Sequence, residues 1–560
     1  MAHLYKKVKN GRDYYYIRET QRVYGKPTTI NQVYLGTADK VQELLKQEKS
    51  RGFSPKEFGS IFVINELNQA VDLPGIVDDI LPPKKRTKGP TLGELLFYAA
   101  MNRAIAPTSK RQLASWYEST DIQRVRPLRL ESLNSQNFWN YWDRISEEDL
   151  ERMALVFFRQ VHSLLPPHKE HLVVEATDIY SPTPQPSRML LEGGLPRVGL
   201  AIVSERFSGV PLFYQAYPGG LPETGFYQFY LDSLLARLNQ VGVKAQDFTL
   251  IFSQGIESEK VLQRVDNQDN LHFIASYALD FAPELAKIPL KEFRPLPCRI
   301  NERRIISGEE DHRVLYHETR GVYLNRPRRV IVTFDPKIFQ KKYQDLRTRV
   351  HKLRKELITL QKQVQHGDRP GLDAPAIEAH LAQVCRRLNL SPNIFSWAIN
   401  QENGRSNLTF QLEQDQLGKS VHQFGKTILI TDREDWDAPE ICRTFMERCI
   451  IDASDPQAGS STHVTLMPLY HWTDSKVQVH MFVCVAALTY LALLNQRLLD
   501  AGLPFSPREA ILELRGLATA IFLTGIDGKL KRSLNSVTDT QSAILKAMGY
   551  QVEEGKVVPL

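Results

Sequence analysis

The stretch His171-Leu-Val-Val-Glu-Ala-Thr-Asp-Ile-Tyr-Ser181 decides how this chain is to be read. Leu172, Val173 and Val174 form a short apolar run with two β-branched members, which predicts a buried strand. Glu175 follows the run at once. An acid at the end of a buried strand is one way a sheet presents a metal ligand at its edge. Three readings of Glu175 are therefore open: a ligand, an altered ligand, or a polar strand end.

Working outward, the pattern from 171 to about 280 alternates strands and helices. Strands are expected at 171–181, 199–205, 210–217, 248–253 and 272–278, with helices near 224–240 and 257–267. Residues 281–425 interrupt this alternation. A basic β-rich stretch carries Arg299, Arg303, Arg304, Arg320, Arg326, Arg328 and Arg329. Then Tyr343, Leu346, Val350, Leu353, Leu357, Leu360 and Val364 follow a strict 3-4 spacing, a coiled-coil seam of about three heptads. Gly367 to Pro375 breaks it, and Ile377, Leu381, Val384 and Leu388 resume at 4-3-4 spacing, so an antiparallel helical hairpin is expected. Strands follow at 393–400, 407–413 and 426–431, then a helix from Asp435 towards 451 and a long buried helix at about 474–497.

The 560 residues exceed one ordinary core and predict roughly two to four domains. Lys plus Arg number 71 against 64 Asp plus Glu, a net charge of +7. So small a surplus permits a nucleic-acid partner without demanding one, and clustering matters more than the sum. Five dispersed cysteines without C-x-x-C spacing argue against a disulfide framework or a zinc site and suit a reducing cytosol. The N-terminus lacks an apolar signal core, and the most apolar run, Val479 to Leu494, is shorter than the roughly 20 residues of a span. A cytoplasmic protein with no membrane partner is expected, nucleoid-associated when DNA-bound.

Two further regions carry cations. Residues 1–50 predict a basic N-terminal β unit with a turn at Asn10-Gly11, where Lys6, Lys7, Lys9 and Arg12 mix with Tyr5, Tyr14, Tyr15 and Tyr16. That mixture suits phosphate contacts with stacking, and a solvated hairpin face is the competing account. Residues 51–165 read as helical, with a capped start at Ser109-Lys-Arg-Gln-Leu-Ala-Ser-Trp116. Lys110 and Arg111 make this segment a possible DNA-binding module, and packing on the next domain is the alternative.

Several phrases together resemble the insertion-sequence DDE transposases whose RNase H-like domain is split by a β-rich insertion. They are Glu175-Ala-Thr-Asp-Ile-Tyr-Ser, Val210-Pro-Leu-Phe with Tyr217-Pro-Gly-Gly, Phe252-Ser-Gln-Gly-Ile-Glu-Ser, His272-Phe-Ile-Ala-Ser, Thr431-Asp-Arg-Glu-Asp-Trp and Pro468-Leu-Tyr-His-Trp-Thr-Asp-Ser-Lys. The resemblance spans nearly the whole chain. It implies an α/β fold in which an RNase H-like mixed sheet with flanking helices is split by a β-plus-coiled-helix insertion, preceded by a basic β unit and a helical module. The implied division is 1–50 basic β unit, 51–165 helical module, and 166–280 and 426–500 the two RNase H-like parts. The insertion is then 281–425 and the C-terminal helical tail 501–560.

The resemblance also implies a catalytic triad of acids holding two Mg²⁺ ions, double-stranded DNA at inverted-repeat element ends as partner, and a homodimer on DNA. The three acidic positions fall on Glu175, Ser253 and Asp452, with Phe445 where the family has Tyr. All three depart from the family. Glu175 lengthens its arm by one methylene, Asp452 shortens it, and Ser253 replaces an anion with a neutral hydroxyl, where catalytic geometry tolerates about 0.5 Å. Glu175 and Asp452 remain candidate metal ligands. Asp178 falls on the opposite strand face, Asp247 lies roughly 20 Å away along its strand, and Glu257 is the one stand-in left. Beyond Asp452, Gly459 stands where the family helix has a basic residue, and Pro456 predicts a loop over 453–463.

Other chemistry is less supported. His471, Asp474 and His480 straddle a helix start, where Thr473 or Asp474 as N-cap is the simpler account. Ser253-Gln-Gly255 lacks the first glycine of a hydrolase elbow, and no P-loop or dinucleotide fingerprint is present. Three functions are expected to compete: a transposase-family DNA-binding protein with an impaired site, an active Mg²⁺-dependent transposase with an altered site, and a non-enzymatic structural or assembly protein.

Overall fold

The computed structural model describes residues 2–560 apart from 24, 47–51, 84–88, 166–170, 181–196, 219–222, 244–246, 254, 257, 367–373, 403–404, 453–461, 466–473 and 525–528. The chain divides into two compact units. The first combines residues 1–252, 256–273 and 443–560; the second holds 253–255 and 274–442.

Unit 1 opens with an antiparallel three-stranded sheet, β1 (Ala2–Lys9), β2 (Arg12–Val23) and β3 (Lys26–Gly36). Asn10 and Gly11, both at positive φ (51° and 72°), form the expected tight turn, because a two-residue hairpin loop of this twist needs left-handed residues. Ile17 and Leu35 bury the inner face of this sheet against Ile521. Helix Ala38–Lys46 and β4 (Gly52–Glu57) precede the helices of the next segment. Helix Leu92–Ile105 starts at Thr91 with a complete capping box to Glu94. The helix expected from Ser109 begins instead at Leu113, and residues 109–112 close a turn in which Gln112 N donates to Ser109 O (2.9 Å).

The central mixed sheet has nine strands. Five follow in chain order: β5 (His171–Tyr180), β6 (Arg197–Glu205), β7 (Pro211–Pro218), β8 (Asp247–Phe252) and β9 (Leu271–Tyr277). β5 pairs antiparallel with β6 and parallel with β8, and β6 pairs antiparallel with β7. Gly199 faces Tyr217 across the β6–β7 ladder, and a Cβ there would lie 2.0 Å from the ring, so only glycine fits. The helix expected near 224–240 is two, Glu223–Phe229 and Leu231–Val241.

In unit 2 lie β10 (Arg294–Pro295), β11 (Leu315–Tyr323), β12 (Arg326–Phe334), β13 (Phe395–Glu402), β14 (Arg405–Leu412) and β15 (Lys426–Thr431). The sheet order is β10-β11-β12-β15-β9-β8-β5-β6-β7. β11 and β12 fall within the β-rich basic stretch expected in 281–425. Its arginines are largely committed: Arg304 is ion-paired to Asp335 (3.0 Å), Arg329 to Glu318 (2.7 Å) and Arg320 to Glu434 (2.5 Å).

The heptad seam forms helix Pro336–His366, and the resumed spacing forms helix Ala374–Arg387. Leu353, Leu357, Ile377 and Leu381 are fully buried, and the β13–β14 hairpin adds Leu408 and Phe395 to the same core. The break from Gly367 to Asp373 lies outside the described residues.

The helix expected to run towards 451 stops earlier, at Ala438–Met446, and β16 (Cys449–Asp452) follows, paired parallel with β17 (Thr462–Thr465). Two adjacent β-branched residues, Ile450 and Ile451, favour the strand. Helix Asp474–Asp500 is long and apolar enough to cross a membrane, yet 94% of its most apolar window is buried inside the protein. The C-terminal region expected to be helical also supplies β18 (Ala518–Thr524) and β19 (Lys529–Leu534), which extend a sheet with β4, and the hairpin β20 (Tyr550–Glu553) and β21 (Lys556–Pro559).

Truncating the hairpin core in unit 2 tests whether that packing stabilises it. Leu357→Ala should cost about 2–5 kcal/mol, read as a fall in the urea midpoint at unchanged slope.

Candidate functional site

Glu175 sits on β5 between two partners, in register with Ile202 of β6 and Ile251 of β8. Val174 and Ala176 on either side of it are fully buried, so the strand's register is fixed by the core. A buried tyrosine pins this part of the sheet: Tyr227 Oη lies 3.0 Å from the carbonyl of Val174 and 2.8 Å from that of Ile251.

The partner of Glu175 is a residue that the sequence reading missed. Arg448, on the turn between helix Ala438–Met446 and β16, donates from Nε to Glu175 Oε1 at 3.0 Å. Both side chains are nearly enclosed, 13% and 12% exposed. Phe445 holds the guanidinium from the other side. Its ring centroid lies 4.1 Å below the guanidinium carbon, and its carbonyl accepts from Nη1. No local pattern signals this pair, since the partners are 273 residues apart.

The other family positions are distributed as follows. Ser253 comes directly after the last residue of β8 and is partly buried. Asp452, expected on a helix, ends β16 instead, and β16 runs beside β5. The structure thus brings the strand of Asp452 alongside the strand of Glu175. Glu257, Pro456, Gly459, His471 and Thr473 lie outside the described residues, while His480 is buried in the long helix.

These donors do not fit a pair of Mg²⁺ ions. Bridging two divalent cations takes carboxylates available to both, yet one carboxylate is held by a guanidinium and one position is a hydroxyl. A fixed positive charge about 4 Å away opposes each unit of cation charge by about 4 kcal/mol at an effective dielectric near 20. Among the described residues no three His, Cys, Asp or Glu side chains gather into a metal-ligating group.

The cations expected to bind DNA separate by strand alternation. Positions 3, 5, 7 and 9 of β1 share a face with 12, 14, 16, 18, 20 and 22 of β2, and this face carries Lys7, Lys9 and Arg12 with no acid among those positions. Lys6 belongs to the opposite face, ion-paired to Asp13 at 3.0 Å. The tyrosines of the cationic face form a ladder. Ring centroids are 6.4 Å apart for Tyr5–Tyr16 and 5.2 Å for Tyr16–Tyr34, with Arg18 stacked 3.5 Å over Tyr5. Tyr34 is 57% exposed, so the ladder is open to a partner. Lys110 and Arg111 lie elsewhere in unit 1, lining a cleft of about 870 Å³.

No family model matches this sequence. No curated protein matches it either. Among solved structures, the chain is similar to a piggyBac transposase synaptic complex with hairpin DNA, at 10% identity and a TM-score of 0.31, covering 84% of this chain and 82% of that one. A likeness at that score gives no support to a shared chemistry.

Removing one member of the buried pair should strand the other's charge. Arg448→Leu and Glu175→Gln should each cost about 3–5 kcal/mol, and the double variant should recover part of the loss. A denaturant-based double-mutant cycle measures the coupling; a value near zero would mean that the pair does not hold β5 and Arg448 together.

Proposed function

We propose that this chain is a DNA-binding protein of the insertion-sequence DDE transposase type whose metal chemistry is impaired. The observation that carries the DNA-binding part is the open face of β1–β3, where a half-buried tyrosine ladder ending at the exposed Tyr34 alternates with Lys7, Lys9, Arg12 and Arg18. Cations in that arrangement meet phosphates, and the rings between them offer flat apolar surface to sugars and bases. Support for the transposase type comes from the ordered sequence phrases and from a mixed sheet in which the acid-bearing strand β5 has β8 on one side and β6 on the other.

The impaired part rests on the Arg448–Glu175 pair. The guanidinium supplies in covalent form one of the positive charges that a divalent ion would bring, and it cannot activate a water or a 3′-hydroxyl for attack. In this reading the protein recognises inverted-repeat DNA as a homodimer in the cytoplasm, associated with the nucleoid, and performs no strand transfer. The family's Mg²⁺ finds no matching ligand set at Glu175, Ser253 and Asp452.

The test is a binding titration on double-stranded inverted-repeat DNA at several salt concentrations, with sedimentation to count the protomers. Each of Lys7→Ala, Lys9→Ala and Arg12→Ala should reduce the slope of log K against log salt by about 0.9, while Lys6→Ala leaves it unchanged. Negligible affinity at low salt would overturn the DNA-binding reading. The same DNA incubated with Mg²⁺ or Mn²⁺ should remain intact; site-specific nicking would sink the claim of an impaired site and favour an active transposase.

A further inference from the structure

The cleft in unit 1 has a composition that the DNA-binding face does not explain. Its walls come from the end of helix Leu92–Ile105, the turn that follows, helix Ser135–Trp142 and the first turn of helix Asp474–Asp500. Four cations line it: Arg103, Lys110, Arg111 and Lys476. Arg103 and Lys476 are almost completely buried, 2% and 3% exposed. Two indoles stand among them. Lys110 Nζ lies 5.1 Å from the Trp142 ring centroid and Lys476 Nζ 3.5 Å from that of Trp139.

Lys476 has a carboxylate, Asp143 at 2.5 Å, which is itself half exposed. Among the described residues no carboxylate pairs with Lys110, which is partly exposed at the cleft. The protein packed around its amine, with the Arg103 guanidinium beside it, pushes its pKa down to about 7. Burial likewise lowers that of Arg103. Gathering cations in a partly dry space is unfavourable unless an anion joins them. The volume is that of a small-molecule site, within the range of roughly 300–1,000 Å³ for ligand pockets. Trp139, 36% exposed, offers its ring to the opening.

We propose that this cleft binds a phosphorylated nucleobase, its phosphate among Lys110, Arg103 and Arg111 and its base stacked on Trp139. Two sources supply that chemistry: a free mononucleotide, or the 5′-phosphorylated terminal nucleotide of a single DNA strand. The cations account for the phosphate and the exposed indole for the base, since aromatic stacking is sequence-tolerant and cation clusters select phosphate. The cleft shares no lining residue with the β1–β3 face or with Glu175, Ser253 and Asp452.

Quenching of tryptophan fluorescence in the full-length protein tests it, with dAMP, deoxyadenosine, inorganic phosphate and a 5′-phosphorylated single-stranded decamer as probes. dAMP or the decamer should saturate the signal, and whichever binds more tightly identifies the source. Deoxyadenosine and inorganic phosphate should each bind at least tenfold more weakly than the better of the two. Lys110→Met should weaken binding at least tenfold, Lys110→Arg should retain most of it, and Trp139→Leu should weaken dAMP more than inorganic phosphate. Circular dichroism checks that each variant is folded, and Lys110→Arg separates loss of charge from loss of structure. Lys7→Glu with Lys9→Glu should leave dAMP binding intact even where it abolishes duplex binding, so the two sites fail independently. Equal affinity for dAMP and inorganic phosphate, absence of binding by dAMP and the decamer alike, or binding indifferent to both Lys110→Met and Trp139→Leu would overturn the proposal.

Discussion

A helix of 27 residues without a polar face has to be covered on every side, and unit 1 is largely made of what covers Asp474–Asp500. Phe482 packs on Phe157 at 5.7 Å, and Tyr490 on Phe97 at 5.9 Å. Tyr490 Oη lies 2.6 Å from Asn68 Oδ1, which places the one polar group of that ring in a buried hydrogen bond. The N-terminal helices, β7, β16, β17 and the C-terminal helices all lie against this one element. Apolar burial at about 25 cal/mol per Å² is non-directional, so the helix dictates that its neighbours be apolar and close but leaves their chemistry open. The two surfaces proposed to bind ligands lie at the periphery, on the outer face of β1–β3 and in the cleft at the helix's first turn.

The Arg448–Glu175 pair shows how a carboxylate inside a sheet can be satisfied without disturbing the strands beside it. Position 175 stays acidic and stays on the strand next to β8, so the sheet is undisturbed. A guanidinium satisfies the carboxylate by a charge-assisted hydrogen bond, and Phe445 supports it by stacking. The buried charge is compensated whether or not a metal is present. The carboxylate's charge is met within the protein itself, by the guanidinium.

Much of the fold was legible because period and punctuation agreed. The strands from β5 to β9 lie within about two residues of their expected limits, since each apolar run is bounded by polar or turn residues. The heptads from Leu346 to Leu360 were equally plain, because a 3-4 repeat has few other meanings. Failures came where local pattern and tertiary context diverged. Ile441, Phe445 and Arg448 continue a helical spacing, and only the β-branched pair Ile450-Ile451 hints that a strand follows. The stretch holding β11 and β12 was legible only as β-rich, and the sheet these strands join could not be read locally, because β15, which links them to β9, lies about a hundred residues later. At the candidate site the acid was found and its partner missed, since periodicity within a segment says nothing about which distant side chain will meet it.

That separation has a consequence in time. Unit 1 is assembled from three stretches of chain, and the last begins at residue 443. Glu175 leaves the ribosome 273 residues before Arg448, an interval of roughly 14–55 s at about 5–20 residues per second. Throughout it the apolar flanks of β5 and the helices that will surround Asp474–Asp500 lack their cover. Apolar surface that the finished unit buries is thus exposed throughout that interval, a condition that favours aggregation. A faster route exists for unit 2, whose helical hairpin and β13–β14 core arise from a contiguous stretch and can form while the larger unit still waits for its centre.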